Sequence, residues 1–254
     1  MGHEITFDER TSLFGVNGGY IAAALLRATA DMSGFDRPLN MSVQFMKAVI
    51  PGNASIQTAH TRQTRSADLI EARLSQSSSV SALSHTWSGK TGGVTAKGKT
   101  RMPHAPHPDE LRPRAATQNP FWDAFEERPI NSVDPSDRRS SQPEFLRWIR
   151  YRDLEDVRSP FLRAALTLPI IDIIGYPSAT RGYSSALGAA VPVTINLAAQ
   201  FYELDELSGW MLGDAFTESI CDGVVSTRVR IWSLNGAPIA QGFTQMFARG
   251  APEG

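Results

Sequence analysis

The sequence predicts an α+β protein in which a unit of one helix and one antiparallel sheet occurs twice. The first observation is that Gln44-Phe45 and Gln200-Phe201 each end a β-like segment and precede a turn. The second is that both units close on a hairpin, the later one at Asn235-Gly236, a dipeptide typical of two-residue turns. Two copies in one chain can pair about a pseudo-two-fold axis, so that function resides on one side only.

The first unit begins with a helix over residues 17–30. Asn17 is suited to cap this helix, because its side-chain oxygen accepts hydrogen bonds from the first backbone N–H groups, and Gly18-Gly19 form the first turn. Apolar residues then recur on one face at Ile21, Ala24, Leu25 and Ala28. Strands are predicted over residues 39–48, 54–63, 67–76 and 79–88, with Gly, Pro and Ser between them.

The second unit contains a predicted strand at 144–151 and a helix over 159–168, with Ser159 as N-cap and Pro160 in its first turn. Residues 175–188 are rich in Gly and Ser and are predicted to form a loop. Further strands are predicted over 191–202, 208–219, 222–234 and 237–249. We therefore divide the chain into an N-terminal repeat of residues 1–108 and a C-terminal repeat of residues 109–254, with a linker at about 102–118.

Composition excludes several classes of protein. The 254 residues carry a net charge of −1, which leaves no electrostatic footprint for nucleic acid. No apolar run approaches the ~20 residues of a membrane-spanning helix, and the polar start of the chain does not resemble a signal peptide. The one cysteine, Cys221, cannot form an intrachain disulfide, which suits a reducing compartment. We expect a cytoplasmic protein that binds neither membrane nor nucleic acid.

Common cofactor and nucleophile motifs are absent or lack their context. Residues 93–100 fit the phosphate-binding pattern G-x-x-x-x-G-K-[ST], but the proline-rich segment 101–108 cannot form the helix that this motif requires. The histidines have no metal-binding spacing, and no G-x-S-x-G segment is present. The sequence therefore predicts a surface connection at 93–100 and no metal or organic cofactor.

Three polar side chains in the second unit have complementary chemistry. Asp172 interrupts an apolar run, where a carboxylate is costly unless it is paired, whereas Thr194 and Gln245 lie in predicted strands. Together a carboxylate, a hydroxyl and an amide can hold one water, with the carboxylate accepting its proton. Open alternatives are a capping or ion-paired Asp172, an ordinary strand threonine, and a Gln245 on a wet interface strand. The first unit offers Thr86 opposite Gln245 and no acid opposite Asp172, so we predict one site per chain.

The order of these motifs resembles the acyl-CoA thioesterase II family, over roughly residues 12–250. The segments that carry the resemblance are Phe14 to Tyr20, Phe45 with Pro51-Gly52, Thr64 to Ser66, Trp148 to Arg150, Asp172, Thr194 to Asn196, Trp210 and Gln245. The resemblance implies a double hotdog, in which the sheet of each repeat wraps around a long helix. The best-known members of that family follow the threonine with Ile-Asp-His, where this chain has Ile195-Asn196-Leu197.

The same resemblance implies hydrolysis of an acyl-CoA thioester to a carboxylic acid and CoA, as in fatty acid metabolism, with Asp172, Thr194 and Gln245 orienting the attacking water. The backbone N–H groups of Gly18 and Gly19 are the candidate oxyanion site. Arg65 is a candidate cation for binding the CoA nucleotide. Further candidates are Lys47, Arg62 and Arg181. The helix residues 21–28 and the segment 166–174 are candidate walls for the acyl chain.

Two other functions are compatible with the same fold. One is a non-catalytic acyl-CoA-binding hotdog protein, and the other is a hotdog enoyl-CoA hydratase or dehydratase, which needs an Asp–His pair at the acyl β-carbon. Sheet packing between chains is common for this fold, so a homo-oligomer is a further expectation.

Overall fold

The computed structural model describes all residues except 95, 97, 99, 132–141, 155–156, 188–189, 208 and 250–254. Helix α1 covers Gly18–Ala30 and helix α2 covers Pro160–Leu187. The strands are β1 (Gly2–Phe7), β2 (Arg37–Phe45), β3 (Gly52–Gln63), β4 (Ala67–Gln76), β5 (Ser79–Gly89), β6 (Phe125–Pro129), β7 (Glu144–Tyr151), β8 (Val191–Phe201), β9 (Met211–Cys221), β10 (Val224–Ser233) and β11 (Pro238–Arg249).

These described strands form one antiparallel sheet of 11 strands, in the order β1-β3-β4-β5-β2-β8-β11-β10-β9-β7-β6. The two halves of the sheet meet where β2 pairs with β8, from Asn40 opposite Gln200 to Gln44 opposite Asn196. We call this junction the seam. Both helices pack on the inner face of the sheet and share one apolar core, in which Leu25 of α1 and Ile171 of α2 are fully buried.

The two halves correspond closely along the seam. Each seam strand contains a register shift, at Leu39 against β5 and at Ile195 against β11. Met41 pairs with Thr86 and Leu197 pairs with Thr244, so the register makes Thr86 the counterpart of Thr244. The predicted correspondence of Thr86 with Gln245 is therefore wrong by one residue, because it was based on similar short segments and the register depends on pairing with β2 and β8.

Helix α1, its cap and the strands of the first half agree with the sequence prediction, but the second half contains one clear error. Residues 175–187 continue α2 and do not form a loop, although Pro169 and Pro177 lie inside the helix and a kink with non-helical backbone occurs at Tyr183. A Cβ on Gly175 would lie 2.6 Å from Oγ1 of Thr227, and one on Gly182 would lie 2.6 Å from Cβ of Pro143. These glycines permit close packing of the helix on its neighbours, and burial of its apolar face offsets the ~3 kcal/mol that an interior proline costs.

Two further features concern the ends and the middle of the chain. Strand β1, which the sequence did not predict, adds to the edge of the first half by pairing with β3. The predicted linker packs against the second half, where Nε1 of Trp148 donates to the carbonyl of Pro106 at 2.9 Å. The domain division at residue 108 stays a prediction. No helix in the described part of the chain is long and apolar enough to span a membrane.

Candidate active site

The carboxylate of Asp172 lies in the middle of α2, between the start of α1 and β8. Asp172 is 8% exposed. Its Oδ2 accepts hydrogen bonds from Nδ2 of Asn17 at 2.6 Å and from the backbone N–H of Gly19 at 3.2 Å. Its Oδ1 accepts a hydrogen bond from the hydroxyl of Thr194 at 3.0 Å. The cost of burying this charge is thus offset by donors from both halves of the chain.

The start of α1 reaches Asp172 because two glycines leave room for it. A Cβ on Gly18 would lie 3.2 Å from Oδ2 of Asp172 and 3.2 Å from Cζ of Phe45, at the end of β2. A Cβ on Gly19 would lie 2.4 Å from Cα of Pro169, which is backbone and cannot move aside easily. The first N–H groups of α1 therefore face the carboxylate directly, and the helix dipole favours its negative charge.

Asn17 caps α1 and contacts Asp172 with the same side chain. Its Oδ1 accepts from the N–H groups of Gly19 at 3.0 Å and Tyr20 at 3.3 Å, while its Nδ2 donates to Asp172. The sequence predicts the cap but not the contact with Asp172. Asn17 lies within the segment that carries the family resemblance, yet its partner is 155 residues away, so no local pattern identifies the pair.

Thr194 reaches Asp172 because of the bulge in β8. Thr194 pairs with Met246 and Asn196 pairs with Gln245, which leaves Ile195 as the extra residue. The bulge reverses the alternation of the strand at that point. The hydroxyl of Thr194 consequently points to the inner face and to α2, on the same side as the buried side chain of Met246.

The structure does not bring Gln245 to this pair. Its exposed side chain lies on the outer face of the sheet, where Nε2 donates to Oγ of Ser226 at 3.4 Å. Its neighbours Thr244 and Met246 occupy the inner face and are buried. Side chains alternate along a strand, so Gln245 points away from Asp172. The carboxamide next to Asp172 is that of Asn17.

Arg65 also lies away from the pair. It is exposed in the turn between β3 and β4. That turn lies beside the start of β2, since Ala67 and Arg37 both pair with Gly89, whereas the site lies at the end of β2, by Phe45. At ~3.3 Å per residue, the eight steps from Arg37 to Phe45 separate the two ends by about 26 Å.

The other candidate cations differ in their position relative to Asp172. Arg62 is exposed near the end of β3 and lies at the distant end of the sheet with Arg65. Lys47 lies two residues after the end of β2, so it is at the end of the sheet where Asp172 is found. Its Nζ donates to Oγ of Ser79 at 3.4 Å. Arg181 belongs to the last turns of α2.

A surface cavity of about 500 Å³ adjoins the loop that leads into α1. Its lining residues include Ser12, Leu13, Phe14, Gly15 and Pro51. The side chain of Phe14 is exposed, and Val16 anchors the loop by donating its N–H to the carbonyl of Val49 at 2.9 Å. The cavity therefore lies on the solvent side of the segment that positions Asn17.

Opposing effects act on the pKa of Asp172. Burial raises the pKa of this carboxyl above its ordinary value. The hydrogen bonds from Thr194, Gly19 and Asn17, and the backbone of Gly18, act in the opposite direction because they stabilise the ionised form. The result is a buried carboxylate that binds a proton more readily than a carboxylate in water, as a general base requires.

Comparison with known proteins assigns the chain to a family. A model of the acyl-CoA thioesterase N-terminal domain matches residues 7–89, and a model of the C-terminal domain matches residues 101–247. The chain belongs to the acyl-CoA thioesterase family. It is accordingly a thioester hydrolase. No curated protein matches the chain.

Solved structures share the whole fold at low sequence identity. A candidate thioesterase II from Thermobifida fusca YX has a TM-score of 0.84 at 17% identity, covering 98% of this chain and 94% of that one. A hotdog protein of unknown function from Alicyclobacillus acidocaldarius has a TM-score of 0.82 at 18% identity, with coverage of 98% and 94%. The acyl-CoA thioesterase II TesB2 from Mycobacterium marinum has a TM-score of 0.78 at 19% identity, with coverage of 99% and 94%. The predicted double hotdog is confirmed.

Proposed function

We propose that this member of the family hydrolyses an acyl-CoA thioester to a carboxylic acid and CoA, with Asp172 as general base. The observation that carries the proposal is the buried carboxylate of Asp172, held between the hydroxyl of Thr194 and the capped start of α1. A buried base with a raised pKa, fixed by several donors, has the preorganisation that proton transfer needs.

Oδ1 of Asp172 is the atom that we assign to proton transfer. An ionised carboxylate offers about four lone-pair positions, and Oδ2 already accepts two hydrogen bonds. Oδ1 accepts one, from Thr194, and so retains a position for a proton. The hydroxyl of Thr194 fixes the direction in which that position points, which is the orienting role expected of the threonine.

The reaction needs one water and no further reactant. The water oxygen attacks the thioester carbonyl carbon while Asp172 takes its proton, and a carbon–oxygen bond forms. The tetrahedral intermediate then expels the sulfur, the carbon–sulfur bond breaks, and the proton on Asp172 passes to the leaving thiolate. Asp172 returns to its ionised form, and the products are the free acid and CoA.

The start of α1 has a defined part in this scheme. The N–H of Gly19 is shared between Asn17 and Asp172, and the backbone of Gly18 faces the same carboxylate. We assign these groups to holding Asp172, and their use as an oxyanion site stays a prediction. A cytoplasmic location, the use of cations such as Lys47 for the CoA nucleotide, and pairing of chains through their sheets also stay predictions.

A thiol-release assay over a panel of acyl-CoA chain lengths tests the proposal. Release of CoA with formation of the free acid is the expected result. Binding of acyl-CoA without turnover would instead support a non-catalytic binding protein. Spectral gain or loss of an enoyl group without thiol release would support a hydratase or dehydratase, although the described hydrogen bonds of Asp172 involve no histidine.

A further inference from the structure

The amide that contacts Asp172 comes from the opposite half of the chain to the one predicted. Gln245 lies on the outer face of the sheet, whereas Nδ2 of Asn17 lies 2.6 Å from Oδ2 of Asp172. This hydrogen bond is shorter than those that Gly19 and Thr194 donate to the same carboxylate. A charge-assisted bond of this length is stronger than one between neutral groups.

The orientation of the Asn17 carboxamide is fixed by its partners. Its oxygen faces two backbone N–H groups, those of Gly19 and Tyr20, which can only donate. Its nitrogen faces the carboxylate of Asp172, which accepts when ionised. Exchanging the oxygen and nitrogen would put two donors against each other at one end and two acceptors at the other. The arrangement therefore follows from chemistry and leaves one assignment.

We propose that Asn17 is a positioning residue for Asp172, which holds the carboxylate and ties the base to the first half of the chain. The inference rests on the proposed hydrolysis and deepens it. The two ends of the carboxamide have separate tasks, because Oδ1 caps α1 and Nδ2 holds the base. A residue that only capped the helix would need no donor at all.

The groups packed against Asp172 are neutral donors or apolar. At the start of α1 these are the N-cap Asn17 and the backbone of Gly18 and Gly19, and from β8 it is Thr194. The ring of Phe45 in β2 lies close to Gly18 on the same side. Within the described residues, no charged side chain is among the groups that shift the pKa of Asp172. Loss of one donor therefore has a definite sign, because it destabilises the ionised carboxylate and raises its pKa.

Two substitutions separate capping from positioning. Asn17→Ser keeps a good N-cap acceptor but is too short to span the distance to Asp172. Asn17→Asp keeps the cap and the shape, but replaces the donor with a second acceptor next to the base. We expect both variants to fold, with α1 still capped, and to lose about 10- to 100-fold in kcat, since misplacement of a reacting group by ~1 Å costs rates of that order. KM should change little.

The pH dependence provides the readout that a purely structural role would not move. Hydrolysis requires ionised Asp172, so activity falls as the pH decreases through its pKa. In both variants the acid limb of kcat/KM should shift to higher pH, and further in Asn17→Asp, where two carboxylates share the site. The ¹³C resonance of the Asp172 carboxyl, assigned with Asp172→Asn, should report the same shift without any substrate.

Gln245→Ala is the comparison variant, because it removes a carboxamide from the opposite face. It should retain the wild-type rate and the wild-type carboxyl titration. An equal loss of activity in Gln245→Ala, or Asn17 variants in which neither kcat nor the titration of Asp172 changes, would overturn the inference. If the wild-type protein releases no thiol but the carboxyl titration shifts as expected, the hydrolysis proposal fails and the positioning of Asp172 by Asn17 stands.

Discussion

Replacing Asp172 with asparagine removes the proposed base while changing almost none of its volume. In the variant, the amide oxygen can still accept from Asn17 and Gly19, and the amide nitrogen can donate to the hydroxyl of Thr194, which reverses one hydrogen bond. The start of α1 should therefore remain docked on α2. General-base catalysis contributes about 10²- to 10⁴-fold, so we expect kcat to fall by that factor.

The stability of the same variant has a sign that can be worked out. Burial raises the pKa of Asp172 in the folded protein, so the folded state binds this proton more tightly than the unfolded state does. The free energy of unfolding of the wild type then decreases as the pH rises between the unfolded and folded pKa values, and the penalty is fully present above both. Asp172→Asn should lack this dependence and be at least as stable at neutral pH.

Thiol release measured with a chromogenic disulfide, alongside circular dichroism, tests both expectations. The matched control is Asp214→Asn, because burial also raises the pKa of Asp214, which lies in β9 on the outer face beside Arg230. The control should retain the wild-type rate. A folded Asp172→Asn protein with a rate close to wild type would refute the assignment of the base.

Three other substitutions test the geometry. Thr194→Val removes the donor to Oδ1, so kcat should fall about 10- to 100-fold and the acid limb of the pH–rate profile should move up as the pKa of Asp172 rises; an unmoved limb would contradict this. Gly19→Ala places a Cβ 2.4 Å from the backbone of α2, so the free energy of unfolding in denaturant should decrease by ~1–3 kcal/mol and activity should fall. The control Gly2→Ala, where the Cβ enters open space, should change neither stability nor activity. Gly175→Ala, 2.6 Å from a β10 hydroxyl, should destabilise by a similar ~1–3 kcal/mol, and a neutral result would favour the loop that the sequence predicted there.

The parts of the fold that follow from local patterns were predictable. The spacing of Ile21, Leu25 and Ala28 identified α1, Asn17 identified its start, and Asn235-Gly236 identified a hairpin. These signals depend on residues close in the chain, where capping and turn chemistry act.

The errors come from packing between distant residues. Gly175 and Gly182 were interpreted as loop residues. In the structure they lie in α2, where a Cβ would come too close to Thr227 and Pro143. The bulge at Ile195 placed Thr194 on the inner face and left Gln245 on the outer one. The bulge at Ile195 depends on the pairing of β8 with β11 and on the packing of α2. Neither can be recognised from the local alternation of apolar and polar side chains.

The seam between β2 and β8 has a consequence for how the two halves must fit. The donors of Asn17 and Gly19 belong to the first half, and Asp172 and Thr194 belong to the second, so the distances among them depend on the register of Gln44 opposite Asn196. A slip of one residue moves one half past the other by ~3.3 Å, which exceeds the length of a hydrogen bond. The site is therefore assembled only when the halves pair in this register, and chains in which the seam pairs wrongly would be inactive even with every other strand in place.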